Sequence, residues 1–173
     1  MKDIVRFAVD KSNPWVKNLG FDEFLYHKNL NIVVGGDEAT NTNALSRKST
    51  GILVYVETSE AMDHLHWRNS GLNQMLLKLA QKNDIAIGFC LSSVLEHQGI
   101  KRSAILGRMM QNVVLCRKYK VRMVLCSFAK DIWGLRSASD LQSFGRVIGM
   151  TPSEVKQALN LHRTQKGIHI DSS

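Results

Sequence analysis

The strongest constraint on the fold comes from short runs that are apolar on both faces. A strand with one wet face alternates apolar and polar residues. A strand covered on both sides is apolar throughout, as in a parallel sheet packed under helices. Asp84–Leu91 (Asp-Ile-Ala-Ile-Gly-Phe-Cys-Leu) is such a run, and Gly51–Glu57 and Arg122–Cys126 are two more. Asp3–Val9, Leu30–Val34 and Met62–His66 are weaker examples. Helical patterns separate several of them. Leu72, Met75, Leu76, Leu79 and Ala80 recur at helical spacing behind a capping Ser70. Ile105, Leu106, Met109, Met110, Val113 and Cys116 stripe a long helix over 101–120, with the two methionines assigned to the core. Ser137–Asp140 and Thr151–Glu154 match the capping box, the second with Pro152 at the first helical position. Gly149 ends the first of these two helices, and Leu141, Phe144, Ile148, Val155, Ala158 and Leu159 face inward. Asp37–Thr50 has no apolar stripe and reads as a loop.

Strands alternating with helices imply an α/β architecture with a parallel sheet. The chain has 173 residues, fewer than the ~200 or more of a complete eight-unit barrel. The expectation is therefore a single domain over 1–173, an abbreviated TIM-like barrel of parallel strands, with 163–173 as a flexible tail. Only Thr58–Ala61 separates the run ending at Glu57 from the one starting at Met62. A parallel crossover needs about a dozen residues, so either a helix is missing there or 62–66 is not a strand. A missing helix would bare sheet surface for a partner subunit, a second copy or an RNA to cover.

Composition narrows the function. No apolar stretch is long enough to cross a bilayer, and the N-terminus, Met-Lys-Asp-Ile-Val-Arg, carries charge too early for a secretory signal. Cys90, Cys116 and Cys126 cannot all pair and form no Cys-x-x-Cys. A disulfide scaffold and structural zinc are disfavoured, and reduced thiols in a cytoplasm are expected. Charge is more telling. Residues 1–100 hold 10 basic and 11 acidic side chains, and residues 101–173 hold 13 basic and 4 acidic, so the later segment carries +9 of a chain whose net charge is +8. Clustered cations suit a polyanion such as RNA, although a solvated basic surface has the same composition.

Motifs for catalysis are missing: there is no phosphate-binding loop, dinucleotide fingerprint, nucleophile elbow or His-Glu-x-x-His. His64 and His66 would share a face if 62–66 were a strand, but Glu57, Cys90 and Ser127 make a poor set of further ligands. Cys90 and Cys126 read as small buried side chains rather than nucleophiles. On the long helix, Lys101, Arg108, Asn112 and Tyr119 fall on one strip beside the apolar stripe, a pattern suited to phosphate and base or sugar contact. Arg117, Lys118 and Lys120 also complement the helix dipole.

Several segments then agree, in order and spacing, with one family. Asn69–Gln74, Lys82–Leu91, Arg102–Met110, Cys116–Arg122, Asp131–Arg136 and Asp140–Met150 resemble ribonuclease P protein component 3, the archaeal counterpart of a eukaryotic ribonuclease P subunit. The resemblance spans about 51–162. It implies a barrel related to the polymerase-and-histidinol-phosphatase metallohydrolases that has lost their metal chemistry; the His-x-His of the first strand is absent, since that segment reads Ile4-Val-Arg-Phe-Ala-Val9. It implies a protein without catalytic or metal-binding residues and with no cofactor of its own, supporting a catalytic RNA that holds magnesium and removes the 5′ leader of precursor tRNA. Implied partners are the ribonuclease P RNA, a small subunit of RNA-recognition-like fold, other ribonuclease P proteins and, indirectly, precursor tRNA. Arg102, Arg108, Lys118, Lys120 and Arg136 carry over as RNA-contact residues, with Arg68 and Lys130 as weaker additions beside Lys101 and Asn112. Ser92 stands where relatives commonly have a cation. The alternative is a metal-dependent phosphoesterase of the parent barrel; an unrelated basic RNA chaperone is a third possibility.

Overall fold

The computed structural model describes residues 1–160, so the tail expected at 163–173 lies outside the described residues. Among the described residues six strands run β1 (Lys2–Val5), β2 (Glu23–Tyr26), β3 (Ile32–Val34), β4 (Ile52–Val54), β5 (Ala86–Cys90) and β6 (Met123–Cys126). All ladders are parallel, in the orders β1-β2 and β3-β4-β5-β6. The two sheets meet where the chain leaves β6. Phe128 N–H donates to the Ile4 carbonyl (2.9 Å) and Arg6 N–H to the Ala129 carbonyl (2.8 Å).

Side-chain alternation then sorts each strand between two cores. Ile4, Ile52, Val54, Ala86, Cys90, Val124 and Cys126 point to a shared interior, which Leu25 and Ile32 border. Leu53, Ile87, Phe89 and Leu125 point outward, into the layer packed by helices. Every strand thus contributes to one interior, as a curled parallel sheet requires. Gly88 is needed on that inner face. A Cβ there would lie 2.6 Å from Val54 Cγ1 and 3.1 Å from Ile52 Cγ2.

The helices are α1 (Pro14–Lys17), α2 (Glu38–Ser46), α3 (Gln74–Asn83), α4 (Leu91–Leu95), α5 (Gly99–Tyr119), α6 (Ala138–Val147) and α7 (Pro152–Leu159). None of them is long and apolar enough to cross a membrane. Both capping boxes form, at Ser137/Asp140 and Thr151/Glu154, and Gly149 follows α6 with φ +95°.

Four sequence expectations are corrected. Residues 62–66 form no strand; the β4–β5 crossover is a long loop followed by α3, which is capped by Asn73 accepting from Leu76 N–H rather than by Ser70. The segment 37–50 is largely helical: Asp37 caps α2, and Asn41, Ala44 and Leu45 are buried along it. Its stripe escapes a hydrophobicity pattern because a polar residue fills one of the inward positions. Met110 is exposed while Met109 is fully buried. Finally, β2 was not anticipated. It is linked to β3 only by residues 27–31, without an α-helix, and the two strands share no ladder. The uncovered crossover therefore lies at β2–β3, not after β4.

Candidate nucleic-acid interface

Parallel strands deliver their following loops to one rim, and a crossover helix carries the chain back to the other. With 21 residues, α5 spans roughly 30 Å from the rim beyond the strand C-termini to the opposite one. Its two ends therefore serve different surfaces.

The middle of α5 faces neither rim. Arg108 is only 5% exposed. Its Nε donates to Asp63 Oδ1 (2.8 Å), Nη1 to the carbonyls of Ser59 (2.6 Å) and Glu57 (3.1 Å), and Nη2 to the Ala61 carbonyl (2.5 Å). One turn on, Asn112 is buried and its Nδ2 donates to the Ser70 carbonyl (2.9 Å). Gln111 adds bonds to the Arg68 carbonyl and Ser70 Oγ, both 3.0 Å. The middle of the strip expected to meet RNA is thus occupied by the loop between β4 and α3. Arg108 and Asn112 hold that loop, and the reading of both as RNA contacts is corrected accordingly. The periodicity of α5 places these residues correctly on one strip but carries no information about what lies against it.

Asp63 shows the effect of this clamp on charge. Partial burial opposes ionisation, yet hydrogen bonds from Arg108 and Asn69 N–H and the nearby Arg68 hold its carboxyl below the ordinary range. Arg68 reaches Asp63 at 3.4 Å, and its guanidinium lies against Gly107, where a Cβ would fall 2.4 Å from Cζ. Within the same loop His64 stacks on Trp67, with ring centroids 3.9 Å apart. The open cavity beside it, about 400 Å³, is lined by Asp63–Arg68 and Gln111. His64 and His66 are consequently loop residues, and no group of three or more His, Cys, Asp or Glu among the described residues could hold a metal ion together.

The remaining residues of the candidate set divide between the ends. At the strand C-terminal rim, Lys101 pairs with Glu60 (2.5 Å) and Arg102 Nε donates to the carbonyls of His97 (2.6 Å) and Val94 (3.0 Å). Lys130 is exposed there after β6, and Arg136 Nη1 donates to the carbonyls of Leu135 (2.7 Å) and Trp133 (2.9 Å). Arg6, which sequence reasoning passed over, joins this rim through Glu96 (2.6 Å) and lies over the Phe128 ring. At the opposite rim, Lys118 and Lys120 are exposed, and Lys120 takes φ +54° as the C-cap of α5. Their neighbours Arg117 and Arg122 are held by Glu154 and Asp84.

Buried polar groups at the strand C-termini do other work. Ser92 is buried, and its hydroxyl shares a hydrogen bond with Tyr55 Oη (2.6 Å). Cys90 and Cys126 are register partners with sulfurs 3.7 Å apart. Burial pushes the Cys90 thiol well up, which disfavours the thiolate. Burial also raises the carboxyl of Asp3 to about 6, against opposing bonds from Ser127, and that of Glu57 to about 7, against its own backbone N–H, Ser93 and Arg108. Both acids bind a proton more tightly folded than unfolded. Their stabilising contribution is present at low pH and is lost as pH rises through about 6 to 7. Glu57→Gln is therefore expected to shrink the fall in stability between pH 4.5 and 7.5 by about 1–3 kcal/mol, measured by urea unfolding at both pH values.

Comparison with known proteins sets this geometry in a family. A model of the RNase P subunit p30 family matches residues 5–165. Ribonuclease P protein component 3 of Methanosarcina acetivorans is 35% identical over 150 residues, covering 87% of this chain and 59% of that protein. Its counterpart in Methanosarcina mazei is 39% identical over 129 residues, covering 75% and 51%. The chain thus spans little more than half the length of these curated relatives. A chain in the cryo-EM structure of archaeal ribonuclease P with mature tRNA superimposes with a TM-score of 0.75 at 16% identity, covering 100% of this chain and 99% of that one. That last likeness is one of fold. With most of its length matched and identities above 30%, the chain belongs to the RNase P subunit p30 family.

Proposed function

We propose that the chain is an RNA-supporting subunit of ribonuclease P, acting in removal of the 5′ leader from precursor tRNA. Family membership carries this reading. The charge distribution agrees with it. Exposed cations of the basic later segment sit at both ends of α5, so one chain can neutralise phosphates on two RNA segments roughly 30 Å apart. Held together in this way, a folded RNA suffers less self-repulsion. The chemistry then belongs to the RNA and its magnesium, and the polypeptide supplies neither a nucleophile nor a metal ligand. Partners are the ribonuclease P RNA, a small subunit of RNA-recognition-like fold and other ribonuclease P proteins, in a cytoplasm that keeps the three thiols reduced. The barrel itself is read as kin to the polymerase-and-histidinol-phosphatase metallohydrolases.

Reconstitution tests the reading. Adding the chain with its small partner subunit to ribonuclease P RNA is expected to lower the magnesium needed for precursor-tRNA cleavage; an unchanged requirement rejects it. In the same system Lys118→Ala/Lys120→Ala is expected to leave the fold intact and reduce the log–log salt slope of RNA binding by about two, roughly one per lost phosphate contact.

A further inference from the structure

We infer that Trp133 is a stacking platform for an unpaired nucleobase, with Lys130 and Arg136 placed to hold the adjoining phosphates. The inference rests on the RNA-binding reading above and adds to it a residue and a ligand chemistry. All three tryptophans of the chain are at least partly exposed, but they differ in kind. Trp67 already stacks on His64, and Trp15 is about half covered. Trp133 is 85% exposed, and no ring or cation stacks on it among the described residues.

Its presentation is rigid. Trp133 occupies a single 3₁₀ turn, Ile132–Gly134, capped by Asp131, whose carboxylate accepts from Gly134 N–H at 3.0 Å. Leu135 closes the turn with a hydrogen bond to the Ile132 carbonyl. Leu135 is buried with Val5, Val16, Leu19 and Ala129, and Ile132 packs on the same cluster. The backbone on both sides of the indole is thus fixed to β1, α1 and the loop after β6. Little ordering remains to oppose binding.

The charges decide which ligand fits. Lys130 and Asp131 precede the turn, and Arg136 follows it with Nη1 bound to the Trp133 and Leu135 carbonyls. That leaves Nη2 without a protein acceptor among the described residues. Protein interfaces deplete lysine and acidic residues around their aromatic anchors, though not arginine. Single-stranded nucleic-acid sites interleave cations with open aromatic faces, because bases stack while phosphates pair. A lone indole between two cations matches the second pattern.

The test uses the full chain with two probes, a single-stranded 20-nucleotide oligoadenylate and a 20-base-pair RNA duplex. Trp133→Ala is expected to weaken oligoadenylate binding about tenfold or more while leaving duplex binding and the salt slope unchanged. Trp133→Phe, which keeps an aromatic face, is expected to stay within about threefold of the parent. In a Trp15→Phe/Trp67→Phe background, oligoadenylate should quench the single remaining indole. If the parent binds oligoadenylate and Trp133→Ala binds it equally well, the platform is wrong and the RNA reading stands. If the parent binds neither probe, the RNA reading fails and takes the platform with it. Equal losses for both probes in both variants would mean a fold defect and reject stacking. An indole that responds to protein concentration but not to RNA would make Trp133 a protein contact and reject it as well.

Discussion

Replacing Arg108 with alanine is expected to lower the unfolding free energy by about 3 kcal/mol and the melting temperature by roughly 6–12 °C for a chain of this size. The guanidinium serves four acceptors: the Asp63 carboxylate and the carbonyls of Glu57, Ser59 and Ala61. Without it, three carbonyls lose a donor and a partly buried carboxylate loses its closest cation. Asp63 keeps the Asn69 N–H and the longer contact to Arg68, so the loss sits at the lower end of the range for a broken buried pair. RNA still bound by the folded fraction should keep the parent's salt slope. Urea unfolding and a salt titration together separate the roles. An unchanged midpoint with a slope reduced by about one would make Arg108 a phosphate ligand after all.

Gly71→Ala is expected to cost as much or more, about 3 kcal/mol, at the other end of the same loop. Gly71 has φ +78°, and a Cβ on it would fall 2.0 Å from the Val56 carbonyl oxygen, 2.9 Å from the Val56 carbonyl carbon and 3.1 Å from Asn41 Nδ2. Two of these atoms are backbone. The third belongs to a buried side chain whose Nδ2 donates to the Gly71 carbonyl and whose Oδ1 accepts from Gly36 N–H. No rotamer change relieves the contact, so the loop must move away from the strand C-terminal rim. Gly149→Ala is the control: its φ is +95°, but nothing lies within 4 Å of the added methyl. Only backbone strain of about 1–2 kcal/mol applies there. Equal losses in the two variants, read as urea midpoints, would show that steric contact at Gly71 contributes nothing.

The two substitutions bracket the segment where sequence reasoning failed. The strands Ile52–Val54 and Ala86–Cys90 were legible inside the runs 51–57 and 84–91 because both faces are covered by apolar neighbours, which leaves a local signature, although each run extends past its strand. Met62–His66 imitates that signature with Met62 and Leu65, yet both side chains are exposed. What holds this loop is Arg108, Gln111 and Asn112 reaching across from α5, contacts between residues more than 40 positions apart. Helix α2 was missed for a related reason. Its buried Asn41 is satisfied by Gly36 and Gly71, partners that no hydrophobicity pattern reveals.

The sequence by itself determined the parallel α/β class, the starts of α6 and α7, the end of α6, the concentration of positive charge after residue 100 and the family resemblance. Each of these depends on residues close together in the chain or on a simple count. Only the tertiary structure decided which cations remain available. Arg108 and Lys118 are both cations of α5, but a distant loop covers the first and leaves the second in water. Burial is a property of what packs against a side chain, and neither composition nor periodicity encodes the neighbour.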